Sequence, residues 1–385
     1  MSIVSIVKCP DYEQEKVYKA VKKAVELIGG IGQIIKPGET VLLKINLLSA
    51  RPPERAVTTH PSLVGAVVRL LKEMGATVWV GEAASTGGMG LERRRGAFDI
   101  CGITEVVEKE GGEIVNFSLK GYKKIKIPYA KKLKEINLAR PILEADVVVS
   151  LPKLKTHELT LLTGAVKNFF GCVSSADRFE AHRLSKVEEF SQAVVDIYSV
   201  CQPKLAIMDA VVAMEGEGPS AGDPIWLGTV LASPDCVSLD VVASQMTGFK
   251  PQEILTSVDA MERGLGPQAL EEIRIVGEEL KKVRRVDFKK PSAYRNFAHR
   301  SLRRLLTPLG IRIFRVYPEV DQSRCSQCGL CEKKCPGGAI SLDPFPLYNY
   351  EKCIQCFTCH ELCPEEAVRI KRSWLARQIQ RRSQR

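Results

Sequence analysis

Eight cysteines near the C-terminus have the residue type and the spacing needed to bind iron–sulfur clusters. They form two runs of the pattern C-x2-C-x2-C-x3-C-P, and the second run repeats the first at an offset of 28 residues. In bacterial two-cluster ferredoxins, which share this pattern, the fourth cysteine of each run ligates the cluster of the other run. The chemistry predicted is therefore one-electron transfer. The two runs are Cys325, Cys328, Cys331 and Cys335, and Cys353, Cys356, Cys359 and Cys363.

The crossed pattern predicts how the ligands divide between two [4Fe–4S] clusters. We expect one cluster on Cys325, Cys328, Cys331 and Cys363, and the other on Cys353, Cys356, Cys359 and Cys335. A zinc ribbon is excluded because it uses pairs of cysteines rather than triplets with a distant fourth ligand. The remaining cysteines are scattered and are expected to be small core residues: Cys9, Cys101, Cys172, Cys201 and Cys236.

Polar side chains follow several apolar segments that read as strands. Lys44 and Asn46 close the segment TVLLKIN, and Asp209 follows LAIM. In open α/β sheets, ligands bind outside the carboxyl ends of the strands, so these residues are candidates for substrate binding. His60 is a further candidate, although its place before Pro61 also suits a helix cap.

The segment 151–182 concentrates cationic and polar side chains among small and apolar residues. We expect Lys153 and Asn168 to bind a substrate, and we expect catalytic roles for Lys155, His157, Lys167 and His182. Converging cations indicate an anionic small molecule, and a histidine would supply a proton to match each electron. Because an unpaired buried charge is costly, these groups are expected to surround an open pocket rather than to be buried for stability.

The elements that must position these residues alternate between strands and helices. This alternation predicts an α/β domain over residues 1–280, with a mostly parallel sheet covered by helices. The predicted strands are Ser2–Val7, Thr40–Ile45, Ala76–Val80, Asp146–Leu151, Leu205–Met208 and Gly228–Ala232, with Lys120–Pro128 as an extra hairpin strand. The predicted helices are Glu13–Ile28, Pro61–Met74, Lys186–Val200 and Val237–Thr247. Residues 320–370 are expected to form a small ferredoxin-like α+β module.

Positive charge is concentrated between and after these two units. The chain has a net charge of +11, and residues 281–315 alone contain twelve Lys or Arg and one Asp. We therefore expect a basic connector over residues 281–319, with a basic helix at Tyr294–Arg304, and a basic tail over residues 371–385. Such a connector suits an acidic electron carrier such as a ferredoxin, or else peripheral contact with an anionic membrane surface. Nucleic acid is not expected, because aromatic residues are not interleaved with the basic ones.

Composition and termini predict a cytoplasmic protein. Hydrophobic residues make up 45% of the chain and charged residues 26%, which is the balance of a globular protein. No apolar run is long enough to span a membrane, and the N-terminal segment does not have the pattern of a signal peptide. No complete G-x-G-x-x-G motif follows a strand, so neither a nicotinamide nor a flavin site is predicted.

Four strings in the chain resemble a known family. PKLKTH, TGAVKNFFG, EGEGP and SPDCVSLDVVASQMTGF are similar to those of domain-of-unknown-function family 362, over roughly residues 1–270. A C-terminal ferredoxin module is a common fusion in that family. The resemblance implies an iron–sulfur redox protein of anaerobic or thermophilic-type metabolism, without an agreed substrate.

Two functions fit these observations. The first is a reductase-type enzyme that passes low-potential electrons from a ferredoxin-like donor to an anionic substrate in the α/β domain. The second is a non-catalytic electron-transfer subunit whose α/β domain docks a partner protein. Polar residues at strand ends favour the first, because a docking surface has no need of histidines and lysines in a cleft.

Overall fold

The computed structural model describes residues 2–83, 91–184, 186–292, 294 and 316–372. The expected helix at Tyr294–Arg304 and most of the basic connector lie outside these residues, as does the tail beyond Arg372. We refer below to residues 2–292 as the α/β part and to residues 316–372 as the cysteine module.

The described strands come from both parts of the chain. They are β1 (Ser2–Lys8), β2 (Thr40–Ile45), β3 (Thr77–Glu82), β4 (Glu113–Asn116), β5 (Tyr122–Lys126), β6 (Glu135–Ala139), β7 (Val147–Leu151), β8 (Lys153–His157), β9 (Leu161–Thr163), β10 (Leu205–Glu215), β11 (Asp223–Ser233), β12 (Ile273–Gly277), β13 (Val316–Val320), β14 (Ile340–Asp343), β15 (Phe345–Tyr348) and β16 (Val368–Arg372). The six main strands predicted from the sequence are all confirmed, and Lys120–Pro128 contains β5.

The described α-helices alternate with the strands of the α/β part and recur as short turns in the cysteine module. They are α1 (Gln14–Glu26), α2 (Pro61–Glu73), α3 (Leu91–Ile100), α4 (Ile103–Lys109), α5 (Phe117–Lys120), α6 (Arg140–Glu144), α7 (Ala165–Asn168), α8 (Ser175–His182), α9 (Val187–Cys201), α10 (Cys236–Met246), α11 (Leu255–Glu262), α12 (Leu280–Val283), α13 (Leu330–Lys333) and α14 (Thr358–Glu361). The four predicted helices correspond to α1, α2, α9 and α10.

Within the described residues, ten strands form one central sheet. Its main order is β12-β1-β11-β10-β7-β2-β3-β4, and β8 and β9 extend it from β10. Six of its pairings are parallel and three are antiparallel. The predicted α/β fold with a mostly parallel sheet is therefore confirmed. The antiparallel pairings arise because β11 returns between β1 and β10, and because β9 folds back on β8.

The central strands are buried on both faces, which explains their continuous apolar sequences. Val147, Val149 and Leu151 belong to one hydrophobic core with α1 and α2, whereas Val148 belongs to a second core with α9 and α10. Alternate residues of a strand point to opposite faces, so each strand supplies both cores. The strand positions are thereby fixed, and so is the edge at which their carboxyl ends emerge.

The chain continues past that edge directly after β7. Pro152 joins β7 to β8, and β8 runs parallel to the outer half of the long strand β10. Lys153, Lys155 and His157 therefore lie on a further strand of the sheet, directly after β7. The end of β8 lies near the cysteine module, where His157 Nε2 is 3.2 Å from Glu361 Oε1.

The internal duplication seen in the sequence is also present in the backbone of the cysteine module. Helices α13 and α14 begin at equivalent positions, and they pack against each other. Positive φ angles recur at the same offset, at Gln327 and Gln355, at Gly329 and Phe357, and at Gly338 and Glu366. Two antiparallel strand pairs complete the module: β14 and β15 form a hairpin, and β13 pairs with β16 from the other end of the module. Among the helices that the structure describes, none has the length and apolarity needed to cross a membrane.

Candidate functional site

The first group of cysteines surrounds a small cavity inside the module. Cys325, Cys328, Cys331 and Cys363 all line this cavity of about 20 Å³. Cys363 comes from the second run, so the fold brings together the four ligands that the crossed pattern assigns to one cluster. Burial, with the neighbouring Cys328 and Cys363, raises the pKa of the Cys331 thiol to about 11. The donor set thus fits an iron–sulfur cluster.

Hydrogen bonds to the crossing cysteines repeat in both halves of the module. Ala339 N donates to Cys335 Sγ and Ala367 N donates to Cys363 Sγ, both at 3.2 Å. Amide donors of this kind stabilise thiolate ligands and tune cluster potentials. Cys335 packs in the same small hydrophobic cluster as Cys359 of the second run. Cys335 therefore lies close to the second run, as the crossed assignment requires.

The cysteine module contacts the α/β part through charged and backbone groups. Arg55 Nη2 lies 2.7 Å from Glu366 Oε1, and Arg51 Nη2 donates to the carbonyl oxygen of Cys363 at 3.1 Å. On the other side of the contact, His360 Nε2 lies 3.2 Å from the carbonyl oxygen of Glu217. These contacts fix the orientation of the module over the carboxyl edge of the sheet.

A cavity of about 950 Å³ lies between the two parts. Its wall includes Cys328, one of the cysteines that surround the cluster cavity. Five cationic side chains and two acidic ones line it: Lys155, Lys167, Arg178, Lys333 and Lys334, with Glu82 and Glu361. The cationic excess favours an anionic ligand, and the ligand would lie beside a cluster cysteine.

Several polar atoms in this wall are buried without a hydrogen-bond partner among the described residues. They are Asn46 Oδ1, Thr163 Oγ1, His182 Nδ1 and Glu361 Oε1. Buried polar atoms in folded proteins are nearly always hydrogen-bonded, to protein, water or a ligand. The wall therefore offers four polar atoms to water or to a bound polar molecule.

The floor of the cavity is a fully connected polar network. Lys44 Nζ lies 2.6 Å from Glu82 Oε2 and 3.4 Å from Asn168 Oδ1. Asn168 Nδ2 in turn donates to the carbonyl oxygen of Lys44 at 2.9 Å, and Asn46 Nδ2 donates to Asn168 Oδ1 at 3.3 Å. Lys44 thus does not line the cavity itself. It orients Glu82 and Asn168, which do line the cavity, and Asn168 in turn orients Asn46.

Lys167 faces the cavity without a counter-ion. Among the described residues its Nζ has no hydrogen-bond or ion-pair partner, and it lies 4.9 Å from the ring centroid of Phe170 and 5.8 Å from that of Phe190. Burial lowers the pKa of Lys167, while the nearby carboxyl group of Glu361 opposes that shift. A cation held over aromatic rings and without a carboxylate at ion-pair distance is well placed to bind an anion.

The two predicted histidines differ in their access to the cavity. His182 is in the wall, and burial lowers its pKa to about 3, helped by Lys167. His157 lies behind the wall: its Nδ1 accepts from the backbone N–H groups of Leu159 and Thr160, so the proton of a neutral ring is on Nε2. That Nε2 lies 3.2 Å from Glu361 Oε1, although the two atoms are not aligned as a hydrogen bond.

Three further residues predicted from the sequence, Lys153, His60 and Asp209, do not line the cavity. Lys153 Nζ lies 2.8 Å from Asp209 Oδ2, Tyr12 Oη donates to Asp209 Oδ1 at 2.7 Å, and His60 N donates to Asp209 Oδ2 at 2.9 Å. The His60 ring stacks on Tyr12 and its Nδ1 caps α2, which is the alternative that Pro61 suggests. Burial is the largest influence and raises the pKa of Asp209, but the interactions with Lys153 and His60 together outweigh it, so the pKa is lowered. We call this closed cluster the Asp209 lock.

The expectation that the lysines and histidines avoid burial is wrong. Lys153, Lys155 and His157 are all buried, with at most 1% of each residue exposed. Lys153 is compensated by the carboxylate of Asp209, which the linear sequence does not reveal. The predicted convergence is therefore partial: the predicted residues in the wall are Lys155, Lys167, His182, Asn46 and Asn168.

Replacing Asp209 by asparagine is expected to lower the free energy of unfolding by about 3–5 kcal/mol, because it leaves Lys153 as an uncompensated buried charge. Urea unfolding followed by circular dichroism measures the change. The matched control is Asp11→Asn, which breaks an exposed ion pair with Lys16 and should leave the midpoint unchanged. Equal effects of the two substitutions would contradict the structural role of the Asp209 lock.

The glycines of TGAVKNFFG have a packing role beside the cavity. A Cβ atom at Gly171 would lie 2.3 Å from Glu82 Oε1, and one at Gly164 would lie 2.1 Å from Asp240 Oδ1. Asp240 accepts hydrogen bonds from the backbone N–H groups of Ala165 and Val166. The close approach of both carboxyl groups orients α7, which carries Lys167 and Asn168 into the cavity wall.

Sequence reasoning missed several wall residues. Glu82 is the last residue of β3, so the rule about polar residues at strand ends could have found it. Arg178 belongs to the cationic segment 151–182, but no binding or catalytic role is predicted for it from the sequence. Lys333, Lys334 and Glu361 had no such signal, since they reach the cavity only because the module docks on the sheet edge.

Comparisons with known proteins agree with this architecture. The family model described as "Domain of unknown function (DUF362)" matches residues 41–245, and the model described as "4Fe-4S binding domain" matches residues 318–341. A thylakoid-associated protein of Synechocystis, sll1697, is 32% identical over 273 residues, which cover 70% of this chain and 81% of that protein.

A search of solved structures finds the lactate racemase apoprotein from Thermoanaerobacterium thermosaccharolyticum at 12% identity and a TM-score of 0.41. The similarity covers 66% of this chain and spans 58% of the length of that chain. The family-model match covers more than half of the sequence, and the Synechocystis relative covers most of it. This chain therefore belongs to the DUF362 family and carries a C-terminal 4Fe–4S binding domain.

Proposed function

We propose that the protein is an iron–sulfur reductase that takes low-potential electrons from an acidic ferredoxin-like carrier and delivers them to an anionic small molecule in the 950 Å³ cavity. Two [4Fe–4S] clusters on the eight cysteines would supply one-electron transfer at low potential. The main observation behind the proposal is that a predicted cluster ligand and several cationic side chains line the same cavity. One continuous surface contains the ligand Cys328 together with Lys155, Lys167 and Arg178.

The chain's own residues would bind the anion and balance its charge. Lys167 and Arg178 would hold the anionic group, while Asn46 and Asn168 would orient the rest of the molecule. Burial and the Lys167 charge hold the pKa of His182 at about 3, so the ring is neutral at pH 7 before the anion binds. Negative charge that enters the cavity offsets the cations and raises that pKa, so that a proton can follow the electron.

The cysteine module and the α/β part both exclude water from the bound anion. Apolar side chains occupy much of the remaining wall: Leu47, Leu48, Phe170, Phe179, Leu330 and Leu362. A low-dielectric wall strengthens each charge interaction with the ligand. The same wall favours an organic anion with an apolar body over a simple inorganic ion.

We propose a cytoplasmic location, where thiols stay reduced. The basic residues 281–315 would attract an acidic carrier, and an anionic membrane surface is the competing partner. The related Synechocystis protein is described as thylakoid-associated, which keeps a peripheral membrane contact among the outcomes to be measured. Co-sedimentation with anionic vesicles, compared with ferredoxin-dependent reduction at rising salt, would separate the two partners.

The proposed function is tested by titrating the reconstituted, dithionite-reduced protein anaerobically with sulfate, phosphate and small carboxylates. We expect a saturable change in the electron paramagnetic resonance signal of the reduced clusters, because the anion binds beside Cys328. The thermal midpoint should rise with anion concentration, since the anion binds only the folded state. Anaerobic purification followed by profiling of bound metabolites would then identify the natural ligand.

The alternative function predicts a different result. If the α/β part only docks a partner protein, small anions should change neither the spectrum nor the thermal midpoint. The protein would then be a non-catalytic electron-transfer subunit, and its clusters would still be reduced and reoxidised by protein partners.

A further inference from the structure

Three lysines lie fully buried near the carboxyl edge of the sheet, and one of them differs from the other two. Lys44 lies 2.6 Å from a carboxylate oxygen of Glu82, and Lys153 lies 2.8 Å from one of Asp209. Lys155 has no carboxylate within ion-pair distance among the described residues, and its Nζ donates to the carbonyl oxygen of Val57 at 2.6 Å. Burying an ammonium group without a counter-ion is strongly unfavourable.

The groups around Lys155 do not compensate its charge. Lys167 and Lys153 repel a proton on its amine, whereas Glu361 and Glu82 attract one from a greater distance than an ion pair allows. Burial is the largest cause that lowers the pKa of Lys155 well below its usual value, and Lys167 adds to it. A desolvated amine beside a second cation is the arrangement that makes lysine a nucleophile.

We propose that Lys155 is a nucleophilic amine that forms a Schiff base with an organic anion bearing an aldehyde or ketone group. The inference rests on the proposed function, because the same cavity holds the same anion. Lys155 lines the cavity, although only 1% of the residue is exposed, and its amine reaches a bound carbonyl carbon by giving up the hydrogen bond to the Val57 carbonyl oxygen. Lys167 and Arg178 belong to the same wall and would hold a carboxylate beside that carbonyl, as in a 2-oxo acid.

The chemistry balances without an added oxidant or reductant. The Nζ lone pair adds to the carbonyl carbon, which forms a C–N bond, and the carbonyl oxygen then leaves with both amine hydrogens as water. The product has a C=N double bond in place of the C=O bond. Protonation of that nitrogen makes the carbon more electron-poor than in the parent carbonyl. The adduct is therefore a better acceptor for electrons that arrive from the cysteine module.

The proposal is tested by trapping on the anaerobic holoprotein. Glyoxylate is the probe, sodium cyanoborohydride reduces any imine, and peptide mass spectrometry near pH 7 reports the modified lysines. We expect Lys155 to be labelled at least about tenfold faster than Lys44, because the Lys44 amine is bonded to the Glu82 carboxylate and Lys44 does not line the cavity. Lys281, whose side chain is 80% exposed, gives the rate of an ordinary surface lysine.

Variants and competition complete the test. Lys155→Arg keeps a cation but cannot form an imine, so its labelling at this position should be lost, and sulfate should slow labelling of the wild type by competition. Labelling of wild-type Lys155 no faster than that of Lys281 would overturn the proposal, and this result does not depend on any variant folding.

The outcomes also distinguish the Schiff-base proposal for Lys155 from the reductase proposal on which it rests. A saturable spectral response to anions without any adduct at Lys155 would remove the Schiff base and leave the reductase proposal standing. Rapid labelling of Lys155 without a cluster response to anions would support the nucleophile and remove the reductase proposal. Neither result can be mistaken for the other, because mass spectrometry reads the lysine and magnetic resonance reads the clusters.

Discussion

Replacing Cys363 by serine is expected to remove or convert the cluster of the first cysteine run rather than that of the second. The physical reason is the crossing of the chain, since Cys363 lines one cavity with Cys325, Cys328 and Cys331. Wild-type protein reconstituted anaerobically should bind about eight iron and eight sulfide per chain, and loss of one cluster should lower both to about four. Iron and sulfide analysis with magnetic resonance of the reduced protein measures the result.

The assignment can be tested by comparing residual spectra among four variants. Cys363→Ser and Cys328→Ser should leave the same remaining signal, because both remove ligands of one cluster. Cys335→Ser and Cys356→Ser should share the other signal. The control is Cys172→Ser, which alters a buried cysteine of the α/β part and should leave the iron content unchanged. A wild-type content near four, or pairing of Cys363→Ser with Cys356→Ser, would contradict the crossed assignment.

The elements of the fold were predictable because their signals are local. Apolar runs such as Val147–Leu151 are buried on both faces, and that burial requires continuous apolar residues whatever the rest of the chain does. The cap of α2 by His60 is similarly local, since Pro61 follows it directly. The offset of 28 residues in the cysteine module is visible in the sequence and recurs in the backbone angles.

The partners of buried charges were not predictable in the same way. Lys153 and Lys155 are separated by one residue in PKLKTH, yet the first is paired with Asp209 and the second has no carboxylate partner among the residues described. That difference depends on which strand packs beside each side chain, because β10 brings Asp209 to Lys153. The approach of Glu361 depends on the docking of a separate module, which no periodicity in the sequence encodes.

The largest effect expected on ligand binding comes from replacing Lys167 by methionine. Lys167 faces the cavity without a carboxylate partner among the described residues, so its charge is available to an anion. A charge-assisted hydrogen bond contributes about 1.5–3 kcal/mol, which corresponds to roughly 10- to 100-fold weaker binding when it is removed. Titration of sulfate against the thermal midpoint and the cluster signal measures the affinity.

The same substitution should leave stability unchanged or raise it in the absence of anion. Methionine keeps the apolar contacts with the rings of Phe170 and Phe190 and removes a partly buried cation that has no ion-pair partner among the described residues. An ordinary structural lysine would behave in the opposite way, because its loss would lower stability and leave anion affinity intact. The matched control is Lys186→Met, whose side chain is 71% exposed and should alter neither quantity. If Lys167→Met binds sulfate as tightly as the wild type, the cation-rich wall is not the anion site, and the docking function becomes the better account of the α/β part.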